Sequence, residues 1–489
     1  MNRVTGTELW RVLALAVLSV SVPTLTCGQP ADAPDILFIS IDDMNDWISP
    51  LDGHPQAITP NMERLAERGI VFTNAHSPAA LCNPSRTALL SGLRPSTTGV
   101  YGNGNDWETN DVANSVRMLP GYFMDLGYRV MGAGKIFHSG HNDRSSWHGY
   151  YPSFEHTRPH ETVPMGNVPA NNNPFNNNSP SNSFDWGPIV AEDSATSDGQ
   201  LADWMARHLN EPGDGPRFDA LGFRRPHQPW FVPRKYFDMH PLGNVELPPV
   251  AENDLGDVPE AALRGNFVTA CCTIGRATNQ QLSDWVLETG QWPNAVQGNL
   301  ASISFVDAML GRVMDGLDAS GRADSTIIVV FGDHGYHVGE KSSYAKRTLW
   351  RESTRVAMFI VAPGVTRPGT RTDAPVNLLD IYPTLTELAG LPSPDHAEGT
   401  SLVPLLANPD ADWDRPTLTT NGYGNHAITS DRYRYIRWND GSEELYDFVA
   451  DPHEFTNLAG DPGMRAIKED LAAWIPDENA PDTVLGLGL

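Results

Sequence analysis

Residues 36–43 read ILFISIDD, and the reading of this stretch decides the fold. Ile36–Ile41 is apolar on both alternating faces save for one serine, the pattern of a strand buried on both sides, and two aspartates follow at once. Similar short runs recur at Ile70–Thr73, Tyr128–Gly132, Phe218–Gly222, Thr326–Phe331 and Val356–Val361. Helical patterns lie between them, such as Pro60–Arg68, capped by Thr59 and closed by Gly69, and Val376–Ala389, closed by Gly390. Strands and helices in alternation predict an α/β fold with a large, mostly parallel central sheet flanked by helices. After about residue 405 the texture changes. Ala427–Thr429, Tyr433–Trp438 and Glu444–Tyr446, around the Asp440-Gly441 turn, read as short antiparallel strands. The expected division is a large α/β domain over 29–405 and a smaller C-terminal α+β subdomain over 406–489.

Residues 1–28 read as an export signal, with Arg3 and Arg11 ahead of the apolar run Val12–Val22 and small residues near Thr26 and Gly28. That run is short for a membrane span, and no later stretch approaches the roughly 20 apolar residues required. The expectation is an exported protein, periplasmic or secreted, with no membrane span. Cys27 lies near the cleavage point, but Thr24-Leu25-Thr26 is a poor lipoprotein signal, so lipid anchoring is not expected. The 34 basic and 60 acidic residues give a net charge of −26, which argues against nucleic-acid binding through a broad basic face. An anionic substrate would need a local basic pocket to overcome that field. Residues 163–183, crowded with Asn, Pro and Ser, read as a long surface loop holding a glycosylation sequon at Asn177.

In open α/β sheets ligands bind at the carboxyl ends of strands, so the residues just after each run are where chemistry belongs. Asp42-Asp43 follow the first run; Gly134-Lys135 and then His138 follow Tyr128–Gly132. Arg224, Arg225 and His227 follow Phe218–Gly222, and Asp333-His334-Gly335 follow Thr326–Phe331. Singly each has an ordinary explanation: a solvated turn, a helix cap, a surface lysine. Together, carboxylates converging on one edge would repel one another unless a cation were present, and hard oxygen ligands favour Ca²⁺ or Mg²⁺. His334 is the awkward member, since imidazole suits zinc better than calcium.

Without the signal, the cysteines are Cys82, Cys271 and Cys272. Adjacent cysteines pair only with strain, so 271 and 272 are either a strained pair or two free thiols, and no disulfide framework exists. Cys82 has no partner and sits in AALCNPSRTALLSG (79–92). Pro84 fits a first helical turn, Arg86 projects one turn along, and Gly92 closes the helix. Cys82 is therefore expected at a surface-facing helix start, where backbone N–H groups and the macrodipole favour an anion.

Residues 82–92 resemble the sulfatase signature, in which the cysteine is oxidised during export to formylglycine, an aldehyde that hydrates to a geminal diol. The resemblance runs from about Asp35 to Asn457. It is closest to the iduronate-2-sulfatase branch, through GKIFHSG (134–140), RRPHQPW (224–230), the DHG turn, YAK (344–346) and EELYDFVADPHEFTNLA (443–459). It implies the sulfatase/alkaline-phosphatase-like fold and one bound calcium ion, held by Asp42, Asp43, Asp333, His334 and the modified Cys82. Many sulfatases have Asn where His334 stands, whereas this branch has His. It further implies that Arg86 holds the hydrated aldehyde, Lys135 bridges it to sulfate, and His138 hydrogen-bonds the diol. His227 and Lys346 match the pair on the sulfate and leaving oxygen.

What the resemblance implies chemically is attack of one diol oxygen on sulfur, departure of the alcohol protonated by His227 or Lys346, and expulsion of sulfate once His138 takes the second hydroxyl's proton. The implied substrate is a sulfated carbohydrate, such as iduronate sulfate in glycosaminoglycans or a sulfated algal polysaccharide. The implied partner is a formylglycine-generating or equivalent maturation enzyme. Two rivals predict different features. A metal-dependent phosphodiesterase or phosphatase of the same superfamily would carry Ser or Thr at position 82 and ligands for two zinc ions. An inactive sulfated-glycan-binding relative would lack a catalytic group, and none is missing.

Overall fold

The computed structural model describes residues 33–154, 156, 158–159, 174, 184–267 and 278–482. The signal segment with Cys27, the pair Cys271–Cys272, and Asn177 with nearly all of its tract lie outside them. Among the described residues Cys82 is a free, buried cysteine, and no helix is long and apolar enough to cross a membrane.

The central sheet has eight strands. In spatial order they are Thr370–Thr372, Ile70–Phe72, Met358–Val361, Thr326–Gly332, Asp35–Ile41, Arg217–Phe223, Arg129–Gly134 and Gly149–Tyr151. All neighbours pair in parallel except Met358–Val361, which runs antiparallel to both of its partners. Alternation explains the burial. Leu37, Ile39, Ile328 and Val330 enter one apolar cluster, while Ile36, Phe38, Ile327 and Val329 enter the other, so the sheet is covered on both faces. The first face is covered by Pro60–Arg68, Ser197–His208 and the 28-residue helix Trp292–Ala319; the second by Cys82–Ser91, Leu119–Asp125 and Ile381–Leu388. The long helix lies close to its neighbours: a Cβ at Gly316 would stand 2.6 Å from Ala206 Cα.

Two local expectations need correction. The helix foreseen over Val376–Ala389 begins later. Val376–Asn377 pairs in parallel with Ala75–His76, Asn377 caps a short 3₁₀ turn, and the α-helix spans Ile381–Leu388. Thr59 does not cap Pro60–Arg68 through its side chain; its hydroxyl accepts from the Ser49 N–H at 2.9 Å instead. Gly69 ends that helix because it passes the strand beside it, where a Cβ would meet Ile360 O at 2.3 Å.

The C-terminal sheet is an antiparallel meander of Thr417–Thr420, His426–Thr429, Tyr433–Arg437 and Glu443–Asp447, backed by Arg465–Ala472. It is tied to the rest of the chain by an Ala79–Thr420 bridge and by buried Arg434, which donates to Thr354 Oγ1 at 3.1 Å. Trp350 donates to buried Glu444 at 2.9 Å across the same junction.

Candidate active site

Register places the site. Ile41 is level with Gly332 on one side and Phe223 on the other, and Gly222 is level with Gly134. Four adjacent parallel strands therefore end together, and with neighbours about 4.8 Å apart their loops share one small region. The ladder continues one residue beyond the strands: Asp42 N donates to Phe223 O and Asp333 N to Ile41 O, both at 3.2 Å. These bonds fix the two aspartates. Asp43 adopts a left-handed conformation, φ 60°, and its N–H donates to Asp333 Oδ1 at 3.0 Å.

The helix Cys82–Ser91 brings the cysteine to this edge. Leu81 at its start is extended, Gly92 ends it with φ 75°, and all ten helical residues are buried. Cys82 itself is only 1% exposed, so its helix start is not surface-facing as the sequence suggested. Polar partners far along the chain cause the burial. Asn83 donates its side-chain amide to Gly102 O and Asn105 O and its backbone N–H to Asn103 Oδ1. Ser85 Oγ donates to Asp333 O at 2.5 Å. Arg86 gives Nε to Asp333 Oδ2 at 2.8 Å, further donors to Ser40 Oγ and to the carbonyls of Lys135 and Ile136, and approaches Asp42 Oδ1 at 3.4 Å.

Lys135 Nζ lies 2.5 Å from Asp42 Oδ2, and Lys346 Nζ lies 2.5 Å from Asp43 Oδ1 and 3.1 Å from Cys82 Sγ. Arg86, Lys135 and Lys346 thus set three cations against Asp42, Asp43 and Asp333. Convergence of acids alone therefore does not demand a metal, because the chain supplies its own countercharge. Two further features fit a cation. Asp43 Oδ2 is buried without a hydrogen-bond partner. His334 Nδ1 faces Gly335 O at 2.9 Å; a carbonyl only accepts, so Nδ1 carries the proton and Nε2 keeps its lone pair. That Nε2 stands 3.2 Å from Cys82 Sγ, 3.5 Å from Asp43 Oδ1 and 3.6 Å from Asp333 Oδ1. Ligand atoms of Asp42, Asp43, Cys82 and His334 all lie within 4.8 Å of one another. Asp333 is outside that group, with both oxygens engaged by Asp43 N and Arg86.

Electrostatics separate the two neighbouring aspartates. Against a burial that would raise it, Asp42 is held well below the usual carboxylate range by Lys135, with His227, Arg86 and Lys346 adding to it. Asp43 is pushed up to about 8, by burial first and then by Asp42 and Cys82, despite Lys346 and His334. Burial also pushes the Cys82 thiol above its usual value, which makes it a poor nucleophile as a thiol. His227 is held well below the usual imidazole range by burial and by Lys346, Arg224 and Lys135. Its Nδ1 faces Gln228 O at 2.6 Å, so the neutral ring presents an unprotonated Nε2. His138 is lowered to about 2, by burial and then Lys135, and its buried Nδ1 has no hydrogen-bond partner.

The structure thus brings Asp42, Asp43, Cys82, Arg86, Lys135, Asp333, His334 and Lys346 into direct contact, with His138 and His227 in their electrostatic field. Sequence reasoning did not single out Ser40, Ser85 and Asn83. Ser85 was legible only as a neighbour in the CNPSR stretch, and Ser40 only as the one polar residue in a buried strand. Gly134 and Gly222 allow the strand ends to close, since a Cβ at Gly222 would meet the Lys135 backbone at 2.1 Å.

An eight-stranded α/β sheet with acids, cations and a cysteine-bearing helix at its carboxyl edge is the alkaline-phosphatase-like fold, and solved structures share it. A phosphonate monoester hydrolase of Agrobacterium radiobacter superposes with TM-score 0.71 at 23% identity, covering 90% of this chain and 94% of its own. A 2-O GAG sulfatase does so with TM-score 0.68 at 22% identity, covering 90% of each chain. Within that class the chain belongs to the sulfatase family. The Sulfatase family model matches residues 34–391, and the model for the C-terminal part of N-sulphoglucosamine sulphohydrolase matches 339–480. A sulfatase of Formosa agariphila is 39% identical over 462 residues, 92% of this chain and 88% of its own. Iduronate 2-sulfatase of Mus musculus is 29% identical over 435 residues, 79% and 75% respectively. The chain is a sulfuric ester hydrolase.

Proposed function

We propose that this chain hydrolyses sulfate esters of a sugar or polysaccharide through a formylglycine made from Cys82 beside one calcium ion, in the manner of the iduronate-2-sulfatase branch. The observation that carries the reading is the seat of Cys82 Sγ, between His334 Nε2 at 3.2 Å and Lys346 Nζ at 3.1 Å, among the clustered ligand atoms. The reading includes export by residues 1–28, a maturation enzyme that oxidises Cys82, and a catalytic part over 29–405 with a C-terminal part over 406–489.

Asp42, Asp43, Asp333 and His334 would hold the calcium with residue 82. The hydrated aldehyde supplies a nucleophilic hydroxyl and a second hydroxyl for release, and the calcium supplies Lewis-acid charge. The chain's own residues do the rest. Arg86, anchored by Asp333 and three backbone or hydroxyl acceptors, fixes the position of residue 82. Lys135 and Lys346 offset charge on the sulfuryl oxygens. Lys346 is the readier donor to the leaving oxygen. His227 becomes one only after its Nε2 takes a proton, which an adjacent sulfate anion favours. His138, neutral in its buried setting, would accept the proton whose loss releases sulfate once the charge of the sulfate ester raises its proton affinity from that lowered value.

A sugar alkoxide needs proton donation to leave, whereas a nitrophenolate does not. Lys346→Ala and His227→Ala should each lose about 10²–10⁴-fold in turnover of sugar sulfates and clearly less on an aryl sulfate. Equal losses on both substrates would show that these residues only hold the sulfate. The phosphodiesterase reading has fold neighbours, but among the described residues only one potential metal-ligand group occurs.

A further inference from the structure

A cavity of about 840 Å³ opens beside the catalytic cluster and shares Lys135 with it. This is the size of a site that encloses a ligand of a few rings. Its floor is the pair of strand ends at Gly134 and Gly222, and its wall includes Arg144, Arg224, Asn142 and Phe154. The basic side chains stand out in a chain whose net charge is −26. A polyanionic substrate is repelled at long range by that field, so it must be recognised by cations placed locally.

We infer that this cavity reads a second anionic group, a carboxylate or a further sulfate, on the saccharide whose scissile sulfate meets Lys135, and that Arg144 and Arg224 are the residues that read it. The inference rests on the sulfatase reading above and names the substrate class of that site. The sulfate to be cleaved already meets Lys135 and Lys346; three guanidiniums further along the same cavity, those of Arg144, Arg158 and Arg224, exceed what one monoanion requires. A guanidinium matches carboxylate and sulfate oxygens in a fork that a lysine cannot offer.

Two of the wall's three acids are tied to its framework, while the third, Glu108, stands exposed at the cavity. Asp198 accepts the backbone N–H of Arg224 at 3.0 Å and of Arg225 at 2.8 Å, which fixes the loop that carries Arg224. Asp143 accepts from Ser145 N at 2.9 Å, Ser145 Oγ at 2.7 Å and Ser146 Oγ, shaping the turn that starts at Arg144. Arg144 lies over the Phe154 ring, 5.9 Å from its centroid, so a cation and an apolar face stand side by side, as a charged sugar ring requires.

The test compares the natural chain with Arg144→Gln and Arg224→Gln on four substrates: a 2-sulfated uronate disaccharide, a disulfated glucosamine, a monosulfated neutral hexosamine and an aryl sulfate. The natural chain should prefer at least one doubly anionic sugar over the neutral one by about tenfold or more in kcat/KM, and the preferred one tells carboxylate from sulfate. Both substitutions should raise KM for that substrate about tenfold and KM for the neutral sugar and the aryl sulfate far less; Arg144→Gln should leave kcat little changed, whereas Arg224→Gln also shifts kcat on every substrate because Arg224 acts on His227. A binding readout is independent of turnover: in a Cys82→Ala background, the same substitutions should raise Kd for the doubly anionic sugar by a similar factor. No preference for a second anion, or equal effects on KM for all substrates, overturns this inference while aryl-sulfate hydrolysis leaves the sulfatase reading intact. Loss of hydrolysis on every substrate by the natural, matured chain would instead sink that reading.

Discussion

Cys82→Ala is expected to lower turnover by about 10⁴-fold or more, the scale on which loss of a catalytic nucleophile acts, while the melting temperature stays nearly unchanged. The side chain is small, and its polar contacts are His334 Nε2 and Lys346 Nζ alone among the described groups. The helix around it is held by Asn83, Ser85 and Arg86, which the substitution leaves in place. Turnover on an aryl sulfate and a thermal melt of the same preparation check this. Substantial residual activity would show that residue 82 is not the nucleophile's source.

Asp42→Ala should damage both stability and activity. Asp42 is fully buried and is the partner of Lys135 Nζ at 2.5 Å, with Arg86 approaching at 3.4 Å. Removing it leaves buried cations uncompensated, a loss of about 3–5 kcal/mol. It also removes a carboxylate from the proposed calcium ligands. Chemical denaturation should show the stability loss, and elemental analysis should show calcium falling from one ion per chain toward none. Normal stability with full calcium would contradict both roles. Two zinc ions per chain in the unaltered protein would favour the phosphodiesterase reading.

Much of the architecture was legible because buried parallel strands advertise themselves. Ile36–Ile41, Phe218–Gly222 and Thr326–Phe331 are local apolar runs, and the structure extends each by a residue or two. The residues that follow them were legible as candidates for the same reason, since position after a strand is a local property. What escaped depends on distant partners. Val376–Asn377 carries a helix-like pattern, yet pairs with Ala75–His76 across three hundred residues. The helix Cys82–Ser91 contains enough polar residues to read as half-exposed, and contacts of those residues with Ser40, residues 102–105, Lys135, Ile136 and Asp333 bury them. The helix Trp292–Ala319 is buried around most of its circumference, which erases the amphipathic stripe a sequence reading seeks. In the site, the countercharges were each visible, but not that Lys135 and Lys346 lie directly on the aspartates.

The central claim is that residue 82 does not remain a cysteine in the active protein. Trypsin should release Gly69–Arg86 as one peptide, bounded by Arg68 and Arg86. In protein purified with sulfatase activity, its mass should be lower by the difference between a CH₂SH and a CHO side chain, and a hydrazide reagent should label it at residue 82. A fully active preparation in which this peptide carries only the unmodified thiol would contradict the account.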